Sequence, residues 1–363
     1  MKTRGYKESV CVSRQSILEK FVEEDNVRQE IKFWVRECEG KRMIMCADLT
    51  LIETYEEWLL FYKKLCKNPD ISVDQPAVLL KVFLGICEYK ESNNDVLMAK
   101  IFRKLARFFE WGDIFGFYLE ISKKPMSKSI EIIITGIAEH FPSDDLITNV
   151  VKFEDKYFLE AMISLLKNGI EPTNIDQIVQ RSLTIRKHKV FFVLSGLSLT
   201  LQEYNNKGCL VFCLQVLQES SDRLLINHCI FFIQMIFNGV ELPSEIVVAL
   251  FRILSEGLFD CKSFASSALV ASFPYFSNHY LKELIDNGIS DVFFELLEVS
   301  SETINPKLAI SVLQGIIFLF KFDKKAISNS IPDDIGTIIH NFLFYYESEE
   351  VIGLAHDLVS LFS

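Results

Sequence analysis

Few residues in this chain have the types and spacing that chemistry needs. Cys209 and Cys213 are four apart, so they share one face of a helix, and an antiparallel neighbour could bring His228 or Cys229 beside them. Thiolate and imidazole ligands of that kind suit tetrahedral zinc. The usual short Cys-to-Cys metal loop is missing, and both segments are otherwise apolar, so buried structural cysteines are the simpler reading. Arg186-Lys187-His188-Lys189 is a compact basic run that could bind phosphate or serve as a localisation signal. It lies between two apolar segments, so a solvated link between helices explains it more simply. Lys123, Lys124 and Lys128 read the same way. The six histidines are dispersed, at positions 140, 188, 228, 279, 340 and 356. No phosphate loop, dinucleotide fingerprint, His-Glu-x-x-His motif or Gly-x-Ser-x-Gly elbow occurs. The expectation is a non-catalytic protein with no cofactor and no metal.

The nine cysteines (Cys11, Cys38, Cys46, Cys66, Cys87, Cys209, Cys213, Cys229 and Cys261) are odd in number, and most sit in apolar stretches. Reduced, buried thiols are expected, which points to the cytoplasm, with the nucleus as a second location. Met1-Lys2-Thr3-Arg4-Gly5 leads into no apolar run, so no signal peptide is expected. The uncharged stretches 224–240 and 263–281 are too polar or too broken for a membrane span and read as helices buried on most sides. The 31 Phe residues suggest either a greasy ligand tunnel or, more simply, a Phe-rich packing core. The net charge of −11 is unevenly spread. Residues 1–200 hold 29 basic and 29 acidic side chains, whereas residues 201–363 hold 9 and 20. An acidic half repels phosphate backbones, so nucleic acid is not an expected partner. It suits a basic peptide, although plain solubility accounts for it more simply.

These side chains must be carried by helices. At 363 residues the chain exceeds one compact core, and 15 Gly with 9 Pro are too few for a fold of many tight turns. Leu51, Tyr55, Trp58, Leu59, Tyr62 and Leu65 recur at helical spacing, as do Ile101, Leu105, Phe108 and Phe109. No convincing period-two run suggests a strand. Ser143-Asp144-Asp145, Pro172-Thr173-Asn174 and Pro243-Ser244-Glu245 read as helix starts. With no long linker, one continuous array is expected. Residues 1–159 form an N-terminal helical region, either degenerate repeats or a cap, and contain Trp34, Trp58 and Trp111. Residues 160–363 form the repeats.

The repeat is clearest where Leu284-Ile285-Asp286-Asn287-Gly288 leads into Val292-Phe293-Phe294-Glu295-Leu296-Leu297. A break follows, and then Leu308-Ala309-Ile310-Ser311-Val312-Leu313. Gly169, Gly208 and Gly239, with Ser330-Ile331-Pro332, mark weaker echoes at steps of 39, 31, 49 and 42 residues. This pattern resembles an armadillo repeat: a short helix, a sharp turn at Gly, a middle helix and a third helix. The resemblance covers about residues 160–363. It implies an all-α fold coiled as a right-handed α-α superhelix of armadillo/HEAT type, with third helices lining a partner-binding groove. In importin-α-like members, Trp and Asn four residues apart on each third helix hold the cargo. Aligning segments 190–197, 230–236, 266–271 and 310–316 with that helix puts Phe192, Phe231, Ser267 and Ser311 in the Trp slot. Gly196, Met235, Ala271 and Gly315 fall in the Asn slot. No Trp/Asn pair survives, so importin-style recognition of localisation signals is not expected. These eight residues are the candidate partner contacts. The expected function is an interaction scaffold binding a protein or peptide, basic if the acidic half lines the groove. The alternatives are a divergent nuclear-transport or regulatory adaptor, an unrecognised helical enzyme, and a carrier of apolar ligands.

Overall fold

In the computed structural model, residues 35–38, 41–44, 54–67, 72–73, 76–86 and 93–362 are described. Cys11, Cys46, Cys87, Leu51, Trp34 and the N-terminal residues 1–5 lie outside them. The described residues are overwhelmingly helical, as the all-α expectation requires. A small sheet was not foreseen. Strand β1 (Val35–Cys38) pairs antiparallel with β2 (Lys41–Ile44), placing Val35 opposite Ile44 and Cys38 opposite Lys41. Strand β3 (Ser72–Val73) pairs parallel with β2. Val-Arg-Glu-Cys and Lys-Arg-Met-Ile are too short and too charged to show the alternation that marks a strand in sequence.

The chain divides into two compact units, residues 1–174 and 175–363. The helices of the first unit are α1 (Tyr55–Lys67), α2 (Pro76–Ile86), α3 (Asn93–Leu105), α4 (Trp111–Ile121), α5 (Lys128–His140), α6 (Ile147–Val150) and α7 (Asp155–Lys167). Ser143 does start a helical turn, but a short one. Its Oγ accepts from the Asp145 N–H and opens a 3₁₀ turn over Asp144–Leu146 just before α6. Helices α1, α3, α5 and α7 pack in succession, while α2 packs on α3 and α4, and α4 on α5. Phe102 sits at the centre, with its ring centroid 5.2 Å from that of Phe83, 5.8 Å from Phe109 and 5.1 Å from Phe117.

The second unit contains α8 (Ile175–Leu183), α9 (Val190–Gly196), α10 (Leu201–Asn206), α11 (Cys209–Glu219), α12 (Arg223–Ile236), α13 (Ser244–Glu256) and α14 (Phe259–Ser272). It continues through α15 (Asn278–Asp286), α16 (Ile289–Thr303), α17 (Pro306–Phe322), α18 (Lys324–Ser328), α19 (Ile335–Tyr345) and α20 (Glu349–Phe362). Helix α8 pairs with α9, α11 with α12, α13 with α14, α16 with α17, and α19 with α20. Each pair meets the next on both sides. Helices α8, α11, α13, α16 and α19 follow one another in one row, and α9, α12, α14, α17 and α20 in a second. The short helices α10, α15 and α18 each pack on the element beside them.

Local chemistry sets the helix boundaries. Asp222 accepts from the Leu224 and Leu225 N–H groups at the start of α12. Thr200 and Glu203 form a reciprocal capping box on α10. Asn305 caps α17, with Pro306 at its first position. The four glycines singled out in sequence, Gly169, Gly208, Gly239 and Gly288, all have positive φ, from +77° to +85°. Gly208 and Gly288 stand where a short helix, α10 or α15, turns into the next. Only glycine holds that conformation without steric cost. The Phe content is mostly core: Phe61, Phe83, Phe102, Phe153, Phe158, Phe232, Phe273, Phe293 and Phe342 are fully buried.

Candidate functional site: an uncharged stripe on the second row of helices

Helix α12 buries Leu225, Ile226, Cys229, Ile230, Phe232 and Ile233. Its other side carries Leu224, His228, Phe231 and Met235, at spacings of four, three and four, which is one straight stripe along a helix. Leu224, Phe231 and Met235 are 55%, 58% and 40% exposed. Helix α14 repeats the phasing with Asp260, Phe264, Ser267 and Ala271. The expectation that stretches 224–240 and 263–281 are buried on most sides is therefore corrected. They lack charge yet show a face to solvent.

The stripe is continuous from helix to helix. On α9, exposed Phe192 brings its ring centroid to 5.1 Å from that of His228 on α12. His188, from the link before α9, approaches the same imidazole at 5.0 Å. His228 Nδ1 lies 2.8 Å from the Leu224 carbonyl, and because a carbonyl only accepts, Nδ1 holds the proton. Burial, followed by the His228 charge, lowers the His188 pKa. Between α12 and α14, Gln234 Nε2 donates to Ser267 Oγ at 3.2 Å. Beside that bond lies a depression of about 60 Å³ lined by Gln234, Phe237, Ala271 and Tyr275, with room for a small aliphatic side chain.

Of the eight candidate partner contacts, Phe192, Gly196, Phe231, Met235, Ser267 and Ala271 are exposed on this face. Ser311 and Gly315 are buried, and their placement is corrected. Ser311 Oγ pairs with Ser266 Oγ at 2.7 Å and donates to the Leu308 carbonyl. A Cβ at Gly315 would lie 2.3 Å from the Phe293 ring, so glycine is there to let α17 close on α16. The register on α17 is one residue off, and its exposed positions are Pro306, Lys307, Gln314 and Lys321, with Ile310 half-buried. Sequence reasoning missed Leu224, Phe264 and Tyr275, and weighed His228 only as a metal ligand. The missing charge at 224–240 and 263–281 was the available signal.

Most acidic side chains of this unit lie off the stripe. Glu295, Glu298 and Glu302 are exposed on α16, and Glu245 and Glu256 on α13, all in the first row. On the second row Asp222 caps α12, Asp260, in the first turn of α14, pairs with Arg223 at 3.1 Å, and Glu349, Glu350 and Asp357 are exposed on α20, two helices beyond the stripe.

The cysteine cluster lies in the core and the basic run at the surface. Cys209, Cys213 and Cys229 are buried, and the Cys229 thiol points to the Cys213 carbonyl at 3.6 Å. Burial pushes the Cys209 thiol up to about 12, and burial with Cys213 beside it raises that of Cys229. His228 faces the stripe, away from these thiols. Among the described residues no group of three or more His, Cys, Asp and Glu side chains is placed to hold a metal. Cys66 departs from the pattern and is exposed. Arg186 packs over the Phe212 ring at 4.8 Å and donates to Gln215, so the basic run is a surface link tied down at one end. Among the described residues no helix is long and apolar enough to cross a membrane. No protein-family model matches the chain, and no curated protein is significantly similar to it.

Proposed function

We propose that this chain is a non-catalytic interaction scaffold of armadillo/HEAT type, its helix pairs coiled as a right-handed α-α superhelix. On this reading the second row holds a segment of a partner protein. The observation that carries it is the uncharged stripe from Phe192 through Phe231 and Met235 to Ala271, aromatic and aliphatic in character and continuous over three helices. Large apolar side chains spaced along one face mark protein contact surfaces, because covering them releases water while few charges need desolvation. Paired helix rows and glycine turns of positive φ support the repeat reading. The partner segment that fits this stretch is one with apolar anchors, because its two carboxylates are committed, Asp222 to capping α12 and Asp260 to Arg223. The absence of Trp/Asn pairs keeps import-cargo recognition the weaker alternative. We place the activity in the cytoplasm, with the nucleus as a second location.

The test compares capture from native extract by the parent protein and by Phe231→Glu/Met235→Glu. Both positions are exposed, so melting temperatures should agree. The expected result is loss of the same specific partner, with affinity for the purified partner falling roughly tenfold or more. Binding should stay nearly flat between about 50 and about 300 mM salt. Unchanged capture by the variant would remove this face as the binding surface.

A further inference from the structure

A second concave feature lies in the first compact unit and is independent of the stripe. A cavity of about 510 Å³ opens on the row formed by α1, α3, α5 and α7, within the size range of small-molecule sites. Five cationic side chains line it, Lys100, Arg103, Lys104, Arg107 and Lys156, against one carboxylate, Glu139. Residues 1–200 are balanced in charge, so this concentration is local. Four of the five come from α3 and the 3₁₀ turn that extends it, at i, i+3, i+4 and i+7. That spacing places them on one face with like charges one turn apart, an arrangement that works against the helix.

Two of the carboxylates nearby are committed to Arg103. Arg103 Nε donates to Glu139 at 2.9 Å, and its Nη1 donates to Glu160 at 2.6 Å. Burial alone would lower the Arg103 pKa, but its bonds to Glu139 and Glu160 outweigh burial and raise it. Glu139 and Glu160 thus serve Arg103, leaving Lys100 and Lys104 as excess positive charge beside it. Two further cations are held in place by rings. Arg107 lies over Phe108 at 4.6 Å, and Lys156 over Tyr157 at 5.4 Å. Cations already packed on rings lose less freedom when they meet an anion.

We propose that this cavity binds a small anion carrying more than one phosphate group. Lys100 and Lys104 supply charge from α3, and Lys156 supplies it from the first turn of α7. Lysines bind phosphate as point charges and tolerate varied geometry, so phosphate chemistry is specified more strongly than the rest of the ligand. That phosphate could be free or part of a lipid headgroup.

The test titrates full-length protein with inorganic tripolyphosphate by calorimetry. Parallel arms use phosphatidylcholine vesicles with and without a bisphosphorylated phosphoinositide. The expected result is saturable binding that weakens between about 50 and about 200 mM salt. Lys100→Gln/Lys104→Gln should bind roughly tenfold or more weakly. Lys123→Gln, an exposed control outside the cavity, should bind like the parent. Binding of tripolyphosphate alone would mean a free ligand, and phosphoinositide-dependent vesicle binding displaced by tripolyphosphate would mean a headgroup. If the double variant melts early, Lys156→Gln on the opposite wall carries the same expectation. No saturable binding up to about 1 mM tripolyphosphate, or equal affinity in parent and cavity variants, would overturn the proposal. A single-stranded oligonucleotide that binds more tightly than tripolyphosphate, and loses affinity in the same variants, would also overturn it.

Discussion

A valine at position 288 would have to place its branched Cβ on a backbone held at φ +85°, with Asp291 Oδ2 3.4 Å away. Either the side chain accepts a left-handed conformation or the turn from α15 into α16 opens. Gly288→Val should therefore lower stability by about 1–3 kcal/mol, read as a shift in urea midpoint. An unchanged midpoint would mean the turn tolerates a Cβ. This residue was legible in the sequence because glycine between a short helix and an apolar run has few other uses. Ser311 and Gly315 were not legible. Small residues look alike on a surface and at a close approach between helices, and only Phe293 against Gly315 and Ser266 against Ser311 decide between them. The cations at 100, 103, 104 and 107 stand at helical spacing but were not singled out in the sequence. Their meaning depended on Glu139 and Glu160 turning to Arg103, which no spacing reveals.

Where α16 gives way to α17, the chain turns through Ile304 at φ 50° and ψ 50°. A β-branched residue in the left-handed region is strained, and Ile304 is 53% exposed, so it recovers little by burial. Ile304→Gly should raise stability by about 0.5–1 kcal/mol, because relief of strain exceeds the added freedom of the unfolded chain. Urea melts of the two proteins would show it, and a lower midpoint for the glycine variant would sink the idea. The turn was expected as a break from its polar composition, but nothing in the sequence marked Ile304 as its pivot. Helix α12 shows the opposite limit. Its apolar residues surround it so fully that periodicity could not separate the buried face from the stripe carrying Phe231. Only its neighbours, α11 and α14 on one side and solvent on the other, make that division.

Across the whole molecule, one packing rule recurs in both units: a helix meets its pair mate and the helices before and after it in its own row. After residue 160, glycines between helices made the rule readable. Before that point the same alternation runs through α2 to α5, but Gly112, Gly116 and Gly136 lie inside helices and give no punctuation. The repeat register was therefore invisible there although the packing is present. The main contacts between helix pairs of the second unit run from one pair to the next, and they govern how that unit answers a mechanical load. Tension applied at residue 362 acts first on α19 and α20, whose contacts along the rows are with α16 and α17. Once they detach, α16 and α17 become the new end. Stretching with optical tweezers should give a staircase of extensions, each releasing roughly 40 residues, or roughly 13–14 nm of chain. A single rip of the whole unit would mean that load is shared across it and that the pairs do not part in sequence. Such a chain yields length by small increments under pull, like links let out one at a time.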